Sequence, residues 1–251
     1  MPVIREQIAV HGAARVERVR ADGDGPGWSA VHASEDWRCV LPGTGTVHFR
    51  NRHEFLFVDS LVAFLLDAGE PYQLQHESSR DHCVLCLRSE PPVAHPARAW
   101  LLHPRELFAI KQALACVRRG DASVEVVANG VRRTLARARR SCFAVEGSAL
   151  LRARRHLAAS ATQRMNIHEL AEEAHCSPFH LTRVFGEQLG ITPHQYRLHL
   201  RIAAAMDRLQ QRNTGIADLA FELGFSSQSH FGDVMHRLVG HTPAQIRQAL
   251  A

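Results

Sequence analysis

One phrase occurs twice near the C-terminal end of this chain, and it limits what the chain can fold into more than any other feature. Gly190-Ile191-Thr192-Pro193-His194-Gln195-Tyr196-Arg197 returns fifty residues later as Gly240-His241-Thr242-Pro243-Ala244-Gln245-Ile246-Arg247. The pattern extends upstream. Ile167, Leu170 and Ala171 match Ile216, Leu219 and Ala220, Ser177 matches Ser226, and Leu181 and Phe185 match Phe231 and Met235. The offset is 49 at the alanines and 50 at the glycines, so the second copy carries one extra residue near its central turn. A repeat of this length, made of short helical segments, implies one small module used twice.

Each copy reads as two short helices joined by a tight turn. In the first, His168 to His175 is helical with Leu170, Ala171 and Ala174 inward, and Cys176 makes the turn. Ser177 as N-cap and Pro178 as first helical residue start the next helix, which runs from Phe179 to about Gln188. Ile216 to Leu223, the Gly224-Phe225 turn, a cap at Ser226 or Ser227, and Gln228 to Arg237 repeat the scheme, with Gly224 suited to a left-handed helix end. Two helices so joined make a helix-turn-helix, whose second helix can enter a major groove. The motifs are expected over 168–189 and 216–239. Between them Pro193 to Gln211 reads as one helix, with Tyr196, Leu200, Ala203, Met206 and Leu209 as its stripe. Its length of roughly 28 Å is close to one turn of DNA, about 34 Å, so both second helices could meet successive grooves.

The remaining chain has another character. The 251 residues suffice for two compact domains, and 45% hydrophobic with 22% charged residues is ordinary for a globular protein. Trp28–His32, Asp36–Leu41, Thr46–Phe49, Glu54–Val58, Leu61–Leu66 and Cys83–Arg88 read as short strands, separated by turn signals such as 22–27 and Pro42-Gly43-Thr44-Gly45. That predicts a β-sandwich or small barrel over 1–103. From Pro104 the period changes. Leu107, Ile110, Leu114 and Val117 mark one helix, and Val124, Val127, Val131 and Leu135 a second. This pair, residues 104–141, is either a dimerisation element or a layer on the β domain. A connection follows, and a helix from Glu146 to Ala159 opens a C-terminal all-α domain over 146–249.

Net charge is +5, and of thirty basic residues only Lys111 is a lysine. Arginine suits bidentate phosphate and guanine contacts, although a GC-rich genome explains the bias as well. From Glu146 onward eleven arginines face nine acids, so any attraction for DNA comes from placement rather than net charge. No run of eighteen apolar residues and no secretory h-region is present, so neither a membrane span nor export is expected. The six cysteines, at 39, 83, 86, 116, 142 and 176, form no dense framework and read as reduced thiols of a cytoplasmic protein.

The last hundred residues resemble the AraC-type transcriptional regulators. The resemblance rests on Ala171, Ser177-Pro178, Leu181-Thr182-Arg183-Val184-Phe185, Gly190, Tyr196, Arg201, Ala205, the unbroken block from Ile216 to Phe231, and Gly240-His241-Thr242-Pro243 with Arg247. By architecture alone, the β-rich front with its helix pair resembles the cupin-type sensor domain of the same family. The resemblance implies a two-domain α+β protein: a cupin-like β-barrel with a helix pair, then an all-α domain with two helix-turn-helix motifs joined by a long helix. It also implies double-stranded DNA as partner, a small-molecule effector in the front domain, a homodimer through the helical segment, possible contact with RNA polymerase, a nucleoid location in the bacterial cytoplasm, and no cofactor.

The resemblance places base contacts at Phe179, Thr182 and Arg183. Chemically, Arg183 can pair a guanine edge, Phe179 can pack on a thymine methyl, and Thr182 can do either kind; alternatively Arg183 binds only phosphate. Ser177 and His180 fit backbone contacts. In the second copy Gln228 can pair adenine and Ser229 stands beside it, while Ser227 at a helix N-terminus suits phosphate. Gly232 and Asp233 depart from the family, where a larger polar and a basic residue are common. Glycine reads no base and an acid repels phosphate, so the first motif is expected to carry most specificity.

Other chemistry is weaker in the pattern. His82-Cys83-Val84-Leu85-Cys86 with His76 suggests a soft-metal site, but alternation in a strand sends Cys83 and Cys86 to opposite faces. His48 and His53-Glu54 lack the His-x-His spacing of metal cupins. The four-cysteine zinc cluster of DNA-repair methyltransferases fused to such domains is absent, and the glycines at 23–27 have no helix pattern behind them. The competing reading is a metal-dependent cupin enzyme with a DNA-binding tail. Trp28, Trp37, Phe49, Phe55, Phe57 and Tyr72 either line an effector pocket or form plain core.

Overall fold

The computed structural model describes residues 3–21, 27–88, 98–140, 148–211 and 214–251, the side chains of 139 and 140 excepted. The chain divides into two compact units. One comprises Met1–Leu102 with Ala109–Phe143, the other His103–Phe108 with Ala144–Ala251.

The first unit holds two sheets. Strands β1 (Val3–His11), β2 (Ala14–Ala21), β3 (Trp37–Val40), β6 (Val62–Leu66), β8 (Arg80–Leu87), β9 (Ala99–Leu101) and β10 (Arg139–Arg140) form a seven-stranded sheet in the order β1-β2-β8-β3-β6-β9-β10. Strands β4 (Val47–Arg50), β5 (Phe55–Val58) and β7 (Gln73–His76) form a second, in the order β5-β4-β7. All of the pairings are antiparallel.

Alternation along the strands gives the large sheet two different faces. Val16, Cys39, Leu41, Ala63, Leu65, Cys83 and Leu85 share one face and belong to a single buried cluster. The helices α1 (Pro104–Arg119) and α2 (Val124–Arg137) cover it, contributing Ile110, Leu114, Val117, Val124, Val127, Val131 and Leu135. The apolar stripe that left dimerisation and packing open is therefore buried on the chain's own sheet. Each such side chain gains about 1.5–3 kcal/mol on leaving water. The other face looks toward the small sheet, and Phe49 bridges the gap, its ring 5.6 Å from Phe64 and 5.9 Å from Tyr72.

Several sequence expectations are corrected. Trp28–His32 is not a strand. Only an isolated bridge joins His32 to Tyr72, and the Ser29 hydroxyl accepts the Leu74 backbone N–H at 3.0 Å, which takes that group out of any ladder. Strands β1, β2, β7, β9 and β10 were not foreseen. β1 carries Arg5-Glu6-Gln7 at its middle and β2 four charged residues in eight, and the two pair through Arg5–Glu17 at 3.4 Å and Arg20–Glu6 at 3.7 Å, so only short apolar stretches mark them. Residues 22–26 of the turn read at 22–27, Cys142 and the helix start at Glu146 lie outside the described residues.

The second unit is helical: α3 (Ala149–Ser160), α4 (Ile167–Glu173), α5 (Pro178–Leu189), α6 (Pro193–Gln210), α7 (Ile216–Glu222), α8 (Gln228–Val239) and α9 (Pro243–Leu250). The repeated phrase now has a physical meaning at each position. Gly190 and Gly240 take the left-handed conformation, φ 68° and 88°, that ends α5 and α8. Thr192 and Thr242 cap α6 and α9, with Gln195 and Gln245 completing a capping box in each. Pro193 and Pro243 sit in the first turn, where no N–H is needed. Arg197 Nη1 then donates to the Met165 carbonyl at 2.9 Å, and Arg247 Nη2 to that of Thr214 at 2.7 Å. Each arginine ties its helix to the chain just before the first helix of its own pair.

Arg201 on α6 joins the two copies. Its Nε donates to Ala161 O at 2.6 Å, its Nη1 to Gly224 O at 3.2 Å and its Nη2 to Thr162 O at 3.3 Å. Gly224 is required there: its φ is 77°, and a Cβ would lie 2.6 Å from the Thr162 carbonyl.

Candidate nucleic-acid interface

Helix α5 buries Leu181, Val184, Phe185 and Leu189 and leaves Phe179, His180, Thr182 and Arg183 outside. The Ser177 hydroxyl accepts the His180 backbone N–H at 3.2 Å, so Ser177 is occupied as the N-cap. Phe179 is 80% exposed, the most exposed of the large apolar side chains described. One apolar ring in solvent is ordinary by itself; this one shares the exposed outer face of α5 with Thr182 and Arg183. The Thr182 hydroxyl donates to the Pro178 carbonyl at 2.9 Å, which leaves its oxygen as an acceptor.

Arg183 is already engaged. Its Nη1 donates to both Glu187 oxygens at 2.9 Å, and its Nη2 lies 3.4 Å from His180 Nδ1. Glu187 did not stand out in the sequence, although the i, i+4 spacing of Arg and Glu was there to find.

Helix α8 buries Phe231, Val234, Met235 and Val239. Gln228, Ser229 and Asp233 are exposed, Ser227 and Gly232 half-buried. The Ser227 hydroxyl accepts from the His230 backbone N–H at 3.1 Å and so serves as the cap, while Ser226 Oγ pairs with His230 Nδ1 at 2.9 Å. A Cβ at Gly232 would meet nothing within 4 Å, so its bareness is no packing requirement. Superposing the copies at the fifty-residue offset sets Thr182 on Gly232, Arg183 on Asp233 and Glu187 on Arg237. The order of charges along the exposed face is inverted between the two helices.

A helix-turn-helix domain model matches residues 170–249. The bifunctional transcriptional activator/DNA repair enzyme AdaA of Bacillus subtilis is 34% identical over 87 residues, 35% of this chain and 41% of that protein. The transcriptional activator RhaR of Escherichia coli K12 is 35% identical over 91 residues, 36% of this chain and 32% of that protein. Residues 170–249 are a helix-turn-helix domain of the AraC type. This chain therefore spans less than half the length of either relative, and the match to AdaA is confined to the helix-turn-helix region. Among solved structures, an AraC-type DNA-binding domain protein of Chromobacterium violaceum is 29% identical with a TM-score of 0.40, covering 41% of this chain and 92% of that one. Fatty-acid-bound ToxT of Vibrio cholerae is 12% identical with a TM-score of 0.42, covering 99% of this chain and 98% of that one.

Outside the AraC-type domain, the candidate metal residues are dispersed. His48 faces Phe55 and Phe57 and pairs with Glu77 at 3.0 Å, while His53 sits in an exposed turn against Arg52. Cys83 belongs to the helix-side cluster, whereas Cys86 lies across from Arg38 on the other face. Burial pushes the Cys39 thiol to about 12 and that of Cys86 to about 11, so both are poor nucleophiles. Of the six aromatics proposed for a pocket, Tyr72 lines the cavity between the sheets, and Trp28 instead stacks under Arg50 and beside Phe55. No helix among the described residues is long and apolar enough to cross a membrane.

Proposed function

We propose that this protein is a sequence-specific DNA-binding transcription regulator. The exposed outer face of α5 within an AraC-type domain carries the reading, above all Phe179 standing 80% in solvent. Phe179, Thr182 and Arg183 read bases, with Ser177 and His180 on the backbone. In the second copy Gln228 and Ser229 make the base contacts, and Ser227, Gly232 and Asp233 lie along the backbone. The inverted charges of α8 favour unequal roles, with specificity concentrated in α5.

Residues 1–103 act as a cupin-like sensor domain that binds a small-molecule effector, and 146–249 bind DNA. The effector shifts the balance between two arrangements, one of them competent at the operator. The protein works as a cytoplasmic homodimer through the outer face of residues 104–141, where Val126 is half exposed, and it contacts RNA polymerase from the DNA-bound state. Genome-wide footprinting of the full-length protein tests the core of this reading. Occupied sites sharing a sequence motif that Arg183→Ala erases are expected; scattered occupancy without a motif would overturn it.

A further inference from the structure

Between the two sheets of the first unit lies a cavity of about 370 Å³. That is within the range of small-molecule sites, and room for about a dozen waters. Among its described lining residues, those of fixed charge are all arginines. Arg5, Arg38 and Arg80 reach it together with His32, His76 and His82, and no aspartate or glutamate is among its described lining residues. The other walls are mainly aliphatic, from Val19, Val40, Leu66, Leu74 and Val84, with Phe64.

Arg80 is the centre of the argument. It is 2% exposed. Its Nη1 donates to the carbonyls of Gly45 at 3.2 Å and Val58 at 3.5 Å, which fixes the plane of the guanidinium. Its Nε and Nη2 are buried with no acceptor, as is Nε of Arg38 and Nδ1 of His82. Asp59, whose charge favours the protonated guanidinium, lies outside the lining. Desolvation lowers the Arg80 pKa only to about 10, so the group stays cationic at neutral pH. A buried cation with one whole edge unmet is costly unless something fills it. The Nε–Nη2 edge presents two parallel N–H donors, the spacing that a carboxylate accepts with both oxygens.

We propose that this cavity binds a small organic carboxylate, its head on the Nε–Nη2 edge of Arg80 and its apolar body against the aliphatic walls. The proposal deepens the effector reading above and rests on it for its regulatory consequence.

Calorimetry on the full-length protein tests it with hexanoate and phenylacetate, against hexanamide, hexylamine and inorganic phosphate. At least one carboxylate is expected to bind about tenfold or more tightly than hexanamide, since a charge-assisted bidentate pair is lost in the amide. Hexylamine is expected not to bind. Binding by neither carboxylate, equal binding of hexanoate and hexanamide, or phosphate binding as tight as either carboxylate would each overturn the proposal. Arg80→Gln should cost the carboxylate about tenfold, whereas Arg5→Gln, at the half-exposed rim, should leave affinity within about threefold. Arg80→Met should lower the apo Tm, since it leaves the Gly45 and Val58 carbonyls and the buried Asp59 charge without the guanidinium. A carboxylate that raised the Tm of this variant as much as that of the parent protein would overturn the proposal. Operator binding with and without carboxylate separates the two readings. Carboxylate binding that leaves operator affinity unchanged keeps the site and removes the regulation. Regulation by some other molecule with no carboxylate binding does the reverse.

Discussion

Arg183 and Glu187 form an ion pair on the exposed face of α5, with Nη1 2.9 Å from both carboxylate oxygens. A guanidinium so held is set in one rotamer, and to contact DNA as proposed it would have to exchange a carboxylate for a guanine edge or a phosphate. Exposed pairs of this kind are worth only about 0–1 kcal/mol. Glu187→Gln should therefore tighten DNA binding severalfold with almost no change in Tm. Fluorescence anisotropy on operator DNA measures it, and unchanged or weaker affinity would show that Glu187 positions Arg183 rather than restraining it.

Arg183→Ala should relax base choice at one position, costing about 1–3 kcal/mol on the preferred operator. Competition with single-base operator variants is the check. Full retained discrimination would reduce Arg183 to a phosphate contact.

Phe179→Ala separates binding from folding. The side chain is 80% exposed, so its loss should shift stability by less than about 0.5 kcal/mol. Operator affinity should nonetheless fall at least severalfold. Matched thermal melts and binding curves test this, and a large loss of Tm would mean that the ring is packed in solution.

Arg201→Met should be strongly destabilising to the AraC-type domain. It deletes together the hydrogen bonds of a buried guanidinium to the Ala161, Thr162 and Gly224 carbonyls, each bond to a charged donor being worth about 1.5–3 kcal/mol. Urea unfolding followed by circular dichroism checks it. A loss under about 1 kcal/mol would mean that water replaces the guanidinium at no cost.

Acid should weaken the second unit. Burial, with the nearby His103 adding to it, holds the His199 pKa at about 4 against an ordinary 6.5. The unfolded chain then takes up a proton that the folded one refuses. Stability present above pH 6.5 is lost as the pH falls toward 4, by up to about 3 kcal/mol. His199→Gln should flatten that slope in melts across the interval; an unchanged slope would move the effect to another group.

The second unit was far more legible in the sequence than the first. The doubled Gly-x-Thr-Pro phrase, the Ser177-Pro178 start and the inward leucines act through contacts within a few residues, and caps and helix stops are local physics. Glu187 was within reach of the same logic. The β1–β2 hairpin and the short strands β7 and β9 were not, because partners far along the chain define them. Arg18, for example, gains its place from Asp81 at 2.5 Å, which no local pattern announces.

What the sequence by itself determined is the duplicated helical module, its caps, and which side chains of α5 and α8 are left outward. Helix period and end chemistry settle those within one turn of chain. Tertiary structure alone decided that the apolar stripes of α1 and α2 are spent on a sheet, and that Arg38, Arg80 and His82 turn into one cavity with no acid among its described lining residues. Strand alternation says that residues share a face but not which face is covered, and the pairing of β8 with β2 and β3 across the chain made that choice.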